Sequence, residues 1–551
     1  MRTRWLGRVA FADAHALQMA LFRESSEDYL LLLEHPHVFT LGLRAKQEHV
    51  LINAEDIGAD VLRTNRGGDV TYHGPGQLVG YPILSAPCRT TPEYVHSVEE
   101  VIIQTLREFG IEDVGRLPEY PGVWVGIEEG QPRKIAAVGV RYTRGRTMHG
   151  FALNVDTDLS YFQHIVPCGI YEYGVTSLKK EGVDVDMRTA VNVVAKHANE
   201  MWSNQNDERH DLAWRVNTED LSAFTRGEGP GEKVVASQPV RMLGRLAQAG
   251  VDSTQAVEIT QPKPEWLRVK ANMGEEFREL KKTMRELNLV TVCEEAGCPN
   301  IFECWRDGTA TFMVLGERCT RACGFCLVDT RKPYPPDVEE PQHVAEAIKK
   351  MQLAHAVITM VARDDLPDGG ASHVADVIQS VRDINPQTNI EVLISDMKGD
   401  PRSLQSVLDA KPDVFNHNVE TVLRLQRAVR PSASYARSLA VLSRAKMSGL
   451  KTKSGFMLGL GETDDEVCAL LTDLRSIGVD ILTIGQYIRP TTNHLPVMKW
   501  YTPQEFERYR IIGEQMGFAH VQSSPLTRSS YHARQASESA DELMTATASR
   551  H

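Results

Sequence analysis

The sequence predicts two α/β domains in one chain, a mixed sheet first and a partial or full parallel (β/α) barrel second. Three observations carry this. The second half alternates strand-like apolar runs with helical stretches. The first half sets hairpin-like strands beside two helices, and a weakly patterned stretch rich in glycine, proline and charge separates the halves. The resulting boundaries are 1–216 for the first domain, 217–262 for a linker, 263–535 for the second domain and 536–551 for a polar, frayed tail.

The elements follow in chain order. WLGRVAF reads as an opening strand rather than a presequence, although Arg2, Arg4 and Arg8 precede the first acid, Asp13; it has no apolar core and cleavage site of an export signal. A helix is expected from about Phe11 to Arg23, a strand at DYLLLLEH, and a helix from Pro92 to Phe109 with Thr91 as its cap. Val95, Val98, Ile102, Leu106 and Phe109 recur at helical spacing and form its core face. GVWVGI, KIAAVGVRY and MHGFALNV read as strands, with TRGRT as a hairpin turn. The linker holds RGEGPGEK, ends at TQPKPEW and contains one short helical candidate near Arg241 to Gln248. As a flexible coil of about 45 residues it would span roughly 35–40 Å. Seven strands follow: TFMVLGE, HAVITMV, IEVLIS, PDVFNHNV, KTKSGFML, ILTIGQY and GFAHVQSS.

Composition narrows the function. The chain has 551 residues, 42% of them apolar and 24% charged, with a net charge of -12. An acidic chain offers no footprint for a polyanion, so nucleic acid is not expected as a partner. No run approaches the roughly 18–20 apolar residues of a membrane span, which predicts a soluble, cytoplasmic protein.

Nine cysteines are present, and six of them crowd between Cys293 and Cys326. Clustered thiols in a chain without an export signal suggest zinc, an iron–sulfur cluster or a redox dithiol. Zinc sites usually bring paired C-x-x-C motifs, and only Cys323 and Cys326 form one. A dithiol would leave the other four idle. The triplets C-x4-C-x5-C and C-x3-C-x2-C each suit a cubane of four irons, with one iron left for a different ligand. Cys88 and Cys468 carry no motif and read as structural.

GERCTRACGFC resembles the radical S-adenosylmethionine superfamily, and with VCEEAGCPNIFECW, RDDLPDGG, FNHNVETV, TKSGFMLGLGET, TIGQY and RSSYHA the second half resembles lipoyl synthase. The resemblance implies a partial TIM-type barrel of the radical SAM kind. It also implies a [4Fe-4S] cluster on Cys319, Cys323 and Cys326 whose fourth iron chelates S-adenosylmethionine, giving a 5'-deoxyadenosyl radical on reduction. An auxiliary [4Fe-4S] cluster on Cys293, Cys298 and Cys304, with Ser530 as the labile fourth ligand, would donate sulfide. Unactivated carbons 6 and 8 of an octanoyl chain need a radical because acid–base catalysis cannot reach them. Arg363, Asp364, Asp365, Gly369 and Gly370 are assigned to S-adenosylmethionine, the glycines for close backbone approach and the carboxylates for an ammonium or ribose hydroxyl.

In the first half RGGDVTYHGPGQ from Arg66, KIAAVGVR from Lys134 and PCG from Pro167 together resemble lipoyl(octanoyl) transferase, whose fold is that of biotin and lipoate ligases. The resemblance implies Cys168 as the nucleophile that carries octanoate as a thioester, with Lys134 as its base. Arg66, Gly67, Gly68, Asp69, Val70, Thr71, Tyr72, His73, Ala137, Val138, Gly139, Gly150, Phe151 and Ala152 are expected to bind the acyl substrate. Gly67 and Gly68 would bring backbone close to it, and Tyr72 and His73 would offer polar contacts. No phosphate-binding G-x-x-x-x-G-K-[ST] loop is present. Between Glu129 and Asp156 no acid occurs, while Arg133, Lys134, Arg141, Arg144 and Arg146 do, suggesting a basic face for an acidic acyl carrier protein. The implied partners are octanoyl-acyl carrier protein, the lipoyl carrier domains of 2-oxoacid dehydrogenase and glycine cleavage proteins, and an electron donor. The two activities would then act in series on one acyl group.

Overall fold

A computed structural model describes residues 1–52, 57–170, 172–203, 207–214, 238–268, 290–291 and 308–548. The chain divides into two compact units, Met1–Leu212 and Ala213–His551.

The first unit is built on β1 (Arg2–Arg8), β2 (Tyr29–Glu34), β3 (Val38–Leu41), β4 (Asp60–Arg63), β5 (Val70–His73), β6 (Gln77–Ile83), β7 (Val114–Leu117), β8 (Tyr120–Val125), β9 (Arg133–Thr143), β10 (Arg146–Asn154), β11 (Gly174–Val175) and β12 (Glu208–Asp211). The large sheet runs β12-β1-β2-β6-β10-β9-β8-β7, with β11 added to β9; β4-β3-β5 form a small second sheet. Parallel and antiparallel pairs mix, as expected: β1 lies parallel to β2 and β9 antiparallel to β10. Arg144 and Gly145, both at positive φ, make the tight turn between β9 and β10.

Helices α1 (Phe11–Glu24), α2 (Thr91–Glu108) and α3 (Met187–Trp202) complete the unit. The cap of α2 is Thr90, one residue before the expected Thr91. Glu93 decides this: its backbone N–H donates to Thr90 Oγ1 at 3.3 Å, and its carboxylate accepts from the Thr90 backbone N–H at 3.3 Å. The buried stripe accordingly runs through Tyr94, Val98, Val101, Ile102 and Leu106, with Val95 and Phe109 half-buried at its margin.

The second unit orders β13 (Val290–Thr291), β14 (Thr309–Val314), β15 (His355–Met360), β16 (Asn389–Leu393), β17 (Val414–Asn416), β18 (Lys451–Leu458), β19 (Ile481–Gln486) and β20 (His520–Ser523) sequentially in one sheet. β14 to β20 are all parallel, and β13 lies antiparallel on β14. All seven expected strands are present. No pairing joins β20 to β14 among the described residues, so the barrel is partial. Inside it Lys453 meets both oxygens of Glu391 at 2.9 Å and Asn416 Nδ2 donates to Glu391 at 2.8 Å. Burial alone would raise the Glu391 carboxyl, but Lys453, His355 and Asn416 outweigh it and hold the pKa at about 2.

Two expectations change. The described part of the stretch read as linker is packed structure: the helical candidate near Arg241 to Gln248 is present as α4 (Gln238–Gln248), which buries Met242 and Leu246, and the chain after it buries Ala249 and Val251. Their spacing makes one apolar stripe, and Val257 N–H donates to Val497 O at 2.8 Å. A Cβ on Gly461 would meet Val251 at 2.9 Å, and one on Gly324, inside the cysteine loop, would meet Met242 Sδ at 3.3 Å. The supposed frayed tail is the helix Ala533–Ala548, which buries Ala533, Ala536, Ser537 and Ala540. Small residues let it lie close to Val414 and Ile481 at the strand starts, and Lys451 Nζ donates to Ser537 O at 3.0 Å.

Candidate active sites

Cys168 sits in the turn Pro167–Gly169 of the first unit with φ 55° and ψ 17°, a left-handed conformation unfavourable for any residue with a Cβ. The turn is stitched to the segment of His49, whose carbonyl accepts from Val166 N–H at 2.8 Å, and Leu51 N–H donates to His164 O at 2.9 Å. His49 Nδ1 lies 2.6 Å from Asp69 Oδ2, and both side chains are nearly buried. Gly169, at φ 71°, is pressed on this pair: a Cβ there would come within 2.9 Å of Asp69 Oδ2. Only glycine fits beside the cysteine.

Arg66 is buried next to them and donates to Thr40 O at 2.5 Å, Thr40 Oγ1 at 2.9 Å and Gly67 O at 2.9 Å. Burial lowers its pKa while the charges of Cys168, Tyr81 and Asp69 act the other way, which puts thiol, guanidinium and carboxylate in one electrostatic neighbourhood. Gly67 N–H donates to Val140 O at 3.0 Å, and a Cβ on Gly139 would stand 3.2 Å from Gly67 O. The Arg66–Gly68 loop therefore rests on β9. There Ala137, Val138 and Gly139 pair directly with Ala152, Phe151 and Gly150 of β10. These three β9 residues are only half-buried although they lie in the interior of the sheet. That leaves an apolar floor accessible beneath the glycine loop.

Lys134 is buried on β9, where Nζ donates to Pro121 O at 3.0 Å and lies 4.8 Å from the centre of the Trp124 ring. The chain leaving Cys168 returns onto this strand within seven residues, since Val175 pairs with Lys134. Thr176 N–H donates to Lys134 O at 2.9 Å. Turn and strand are thus joined, and Lys134 Nζ itself is bonded to the Pro121 carbonyl.

Strand alternation separates Val70 and Tyr72 from Thr71 and His73. Tyr72 packs with Phe39, Leu41 and Phe162, and its hydroxyl lies 2.8 Å from His37 Nδ1. His73 points the other way, 2.8 Å from Gln77 Oε1 and 3.3 Å from the Thr40 hydroxyl that Arg66 also uses. Burial lowers His73 to about 3 and its neighbour His35 to about 4, so both rings are neutral near pH 7. The two polar contacts expected from Tyr72 and His73 do not share a face.

The basic face is also smaller than its sequence suggested. Arg133 pairs with Glu181 at 2.8 Å, Arg146 donates to Ser85 Oγ at 2.8 Å and Glu27 O at 2.7 Å, and Arg141 lies 5.5 Å from the Phe22 ring centre. An acid, a hydroxyl, a carbonyl and a ring distant in sequence engage these cations, leaving Arg144 exposed at the hairpin tip.

In the second unit the loop after β14 holds Cys319, Cys323 and Cys326, at the strand ends where barrels place their chemistry. Cys319 N–H donates to Asp329 O at 2.8 Å, Thr320 N–H to Ala362 O at 2.9 Å and Gly324 N–H to Val429 O at 2.9 Å. Burial pushes Cys323 up to about 12 and Cys326 up to about 11, and Cys319 repels both. Three soft sulfur donors on one loop suit an iron–sulfur cluster by their chemistry, and its positive irons would offset the burial penalty on Cys323 and Cys326; among the described residues no three His, Cys, Asp or Glu side chains already converge on one metal position. Cys293, Cys298 and Cys304 lie outside the described residues. Ser530 is described and half-buried, and its neighbour Ser529 accepts from Asn418 Nδ2 at 2.7 Å.

The residues assigned to S-adenosylmethionine are engaged within the protein. Arg363 is buried and binds Asp365 through two 2.9 Å contacts, Leu315 O at 3.0 Å and Tyr334 O at 2.9 Å. Asp364 receives two 2.8 Å bonds from Arg321. Gly369 and Gly370, at φ 65° and 91°, lead into the helix Ala371–Ile384, where a Cβ would meet Met397 and Leu315 respectively. Packing between strand ends already requires both glycines.

A polar cradle that sequence reasoning did not assign residue by residue lies after β17. Glu420 adopts φ 65°, exchanges backbone bonds with Gly455 and Met457 at 3.0 Å each, and acts on both Cys323 and Cys326. Burial raises its pKa against the opposing effects of Arg430 and Asn418. Asn418 Oδ1 is buried without a hydrogen bond, and Arg430 donates to the Asn418 carbonyl at 3.0 Å. A strained carboxyl, an orphaned amide oxygen and a guanidinium beside the thiols suit a polar, zwitterionic cofactor. FNHNVETV was the available signal.

The comparisons agree with this division. The family described as "Lipoyl protein ligase A/B catalytic domain" matches residues 10–199, "N-terminal domain of lipoyl synthase of Radical_SAM family" matches 248–298, and "Radical SAM superfamily" matches 313–474. A lipoyl synthase of Rubrobacter xylanophilus is 58% identical over 280 residues, which are 50% of this chain and 87% of the relative. One from Chlorobaculum parvum is 54% identical over 273 residues, covering 49% of this chain and 94% of its own. Among solved structures, a bipartite lipoate protein ligase of Thermoplasma acidophilum aligns with 38% of this chain and 86% of its own, at 17% identity and a TM-score of 0.33. No helix among the described residues is long and apolar enough to cross a membrane. Through its second unit the chain belongs to the lipoyl synthase family of radical SAM proteins, and its first unit is similar to the lipoyl protein ligase A/B catalytic domain.

Proposed function

We propose that the chain carries out two consecutive steps of lipoate formation: octanoyl transfer through Cys168 in the first unit, and insertion of two sulfurs at C6 and C8 in the second. The observation that carries the first step is the left-handed Cys168 turn seated on the His49–Asp69 pair beside buried Arg66. An adenylating ligase has no use for a thiol held this way.

The thiolate attacks the carbonyl of octanoyl-acyl carrier protein, and the carrier thiol leaves with a proton. A lysine amine of a lipoyl carrier domain then attacks the Cys168 thioester, forming an amide and releasing the thiolate. Lys134 serves as the proton acceptor and donor across the two steps, released from Pro121 O when substrate enters. Arg66 and the Gly67–Gly68 backbone hold the acyl end, and the floor of Ala137, Val138, Gly139, Gly150, Phe151 and Ala152 receives the chain. Asp69, paired with His49, supports the turn; Val70, Thr71, Tyr72 and His73 hold the loop from β5.

In the second unit Cys319, Cys323 and Cys326 hold a [4Fe-4S] cluster, and Asn418, Glu420 and Arg430 join the strand-end loops in binding S-adenosylmethionine. When bound, the two groups would supply the one-electron chemistry needed to remove hydrogen from an unactivated carbon. Arg363 and Asp365 clamp the loops around them, and Glu420 and Asn418 orient polar groups of the cofactor. Cys293, Cys298, Cys304 and Ser530 would hold the auxiliary cluster, which would supply the sulfur. Both activities belong in the cytoplasm, served by an electron donor and by lipoyl carrier domains of 2-oxoacid dehydrogenase and glycine cleavage proteins. Carrying both activities on one chain raises the local concentration of one site near the other.

The test is mass analysis of an apo carrier domain incubated with the anaerobically reconstituted chain, octanoyl-acyl carrier protein, reductant and S-adenosylmethionine. An octanoyl gain followed by gain of two sulfurs with loss of two hydrogens supports the proposal. Attachment of free octanoate only when ATP is supplied would replace transferase by ligase.

A further inference from the structure

One residue inside the cysteine loop is tied more firmly than the cysteines themselves. Arg321 lies between Cys319 and Cys323, and its backbone N–H donates to Cys319 Sγ at 3.4 Å. Its guanidinium spans two strand ends: Nε and Nη2 each reach Asp364 at 2.8 Å after β15, and Nη2 reaches Asp396 at 2.6 Å after β16. The Asp396 side chain is 0% exposed and that of Arg321 is 7% exposed. Asp396 also accepts from Lys398 N–H at 3.1 Å, and Arg437 Nη1 stands 3.9 Å from its other oxygen. Thr320, the preceding residue, donates its hydroxyl to Ala362 O at 2.9 Å and accepts from Asp364 N–H at 3.0 Å. The loop is thereby locked to β15 and β16 from the middle of its motif.

We propose that Arg321 is the positioning residue that fixes the cysteine loop and, by balancing Asp364 and the buried Asp396, sets how readily the cluster held there accepts an electron. This rests on the reading that Cys319, Cys323 and Cys326 hold that cluster. A buried positive charge favours the reduced, more negative cluster, and a buried carboxylate opposes it; low local dielectric and limited screening make both effects larger than at a surface. The N–H to sulfur bond acts in the same direction as the cation, by stabilising charge on Cys319.

The test uses the full chain with Cys293, Cys298 and Cys304 replaced by alanine, so that one cluster remains after anaerobic reconstitution. Iron per chain, the rate of iron loss to a chelator and a redox titration followed by electron paramagnetic resonance are read for four proteins: the parent, Arg321→Gln, Arg321→Lys and Asp396→Asn. Arg321→Gln is expected to shift the potential down and lose iron severalfold faster. Asp396→Asn leaves Arg321 held by Asp364 and is expected to shift the potential up. Arg321→Lys keeps the charge but not the two-strand clamp, so its potential stays near the parent's while iron loss quickens. Opposite shifts for Arg321→Gln and Asp396→Asn are the signature that a merely structural arginine would not produce. Equal potentials in all four proteins, or shifts of the same sign, overturn the proposal while leaving the cluster assignment intact. If Arg321→Gln fails to take up iron, the Asp396→Asn and Arg321→Lys potentials decide. A parent that binds no cluster removes the assignment and the proposal together.

Discussion

The two units use sulfur in opposite ways. In the first, a single cysteine is set apart by its backbone: Cys168 at φ 55° is presented by a turn whose next residue can only be glycine, against a histidine–carboxylate pair and a buried arginine. In the second, one loop carries three cysteines, and burial, helped by the charge of Cys319, pushes Cys323 and Cys326 far above the ordinary thiol range. The proposed transfer would use the one thiol in a strained turn for attack and departure. The proposed cluster would use three thiols of one loop together.

The contrast is broken most sharply by removing a sulfur from either side. Cys168→Ser is expected to lower octanoyl transfer on the order of 10^3-fold or more, while sulfur insertion into a carrier domain already octanoylated is unchanged. Cys323→Ala should do the converse, with transfer retained and iron per reconstituted chain falling by about half, one of two four-iron clusters being lost. Mass analysis of the carrier and iron determination read both. Any cross-effect would mean that the two sulfur sites are not independent.

A subtler change sharpens the backbone half of the comparison. Gly169→Ala places a Cβ 2.9 Å from Asp69 Oδ2 at a φ of 71°, which should destabilise the first unit by about 1–3 kcal/mol. Octanoyl transfer should drop roughly 10–100-fold because misplaced reacting atoms cost about that much. Replacement of Gly182, also at positive φ but with nothing near its Cβ position, should cost less and spare transfer.

The units should also part company in acid. His35 and His73 have folded values near 4 and 3 against 6.5 unfolded, and His149 is lowered by burial as well. Below pH 6.5 the unfolded chain binds protons that the folded first unit refuses. Their contribution is therefore intact above 6.5 and is lost as pH falls towards 3, at up to about 1.4 kcal/mol per histidine per pH unit. In the second unit His417, near 4, behaves likewise, whereas Glu391, near 2, protects stability until pH falls below 4.5. Hydrogen exchange read peptide by peptide, corrected for its intrinsic pH dependence, should show the first unit loosening more steeply between pH 6.5 and 4.5. Equal slopes would contradict the neutral histidine cluster.

The smallest effect is expected at the hairpin tip. Arg144→Ala should raise the KM for octanoyl-acyl carrier protein by about twofold at low salt and leave kcat unchanged, as an exposed rim charge does. Arg146→Ala, which removes the bonds to Ser85 and Glu27, should lower stability instead.

Every expected barrel strand and the principal first-unit strands were legible because their apolar patterns are local. The cap of α2 moved by one residue because Glu93, not helix propensity, selects Thr90. The packing of residues 242–251 and of the helix from Ala533 was missed because small or sparse apolar residues in polar surroundings become informative only when their partners, Gly324, Gly461, Val414 and Ile481, are brought close. The candidate sites divide similarly. The C-x3-C-x2-C loop announces itself by spacing, and Cys168 and Lys134 stand out only through the resemblance of their motifs to lipoyl(octanoyl) transferase. His49, Arg321, Asp396, Asn418, Glu420 and Arg430 do not, since each acquires its role through a residue distant in sequence, such as Asp396 75 positions from Arg321. Asp364 and Asp365 were recognised as chemically rich, and their pairing with arginines required the fold.

The central claim is that one chain holds two independent sulfur chemistries acting in series on the same acyl group. Its most direct test is one carrier domain, mass-analysed after anaerobic incubation with Cys168→Ser chain and Cys323→Ala chain, first separately and then mixed. The account predicts no octanoyl gain with the first alone, octanoyl without sulfur with the second alone, and the lipoyl mass when they are combined. Octanoylation by the Cys168→Ser chain, or a mixture that stops at octanoyl while the intact chain proceeds, would contradict it.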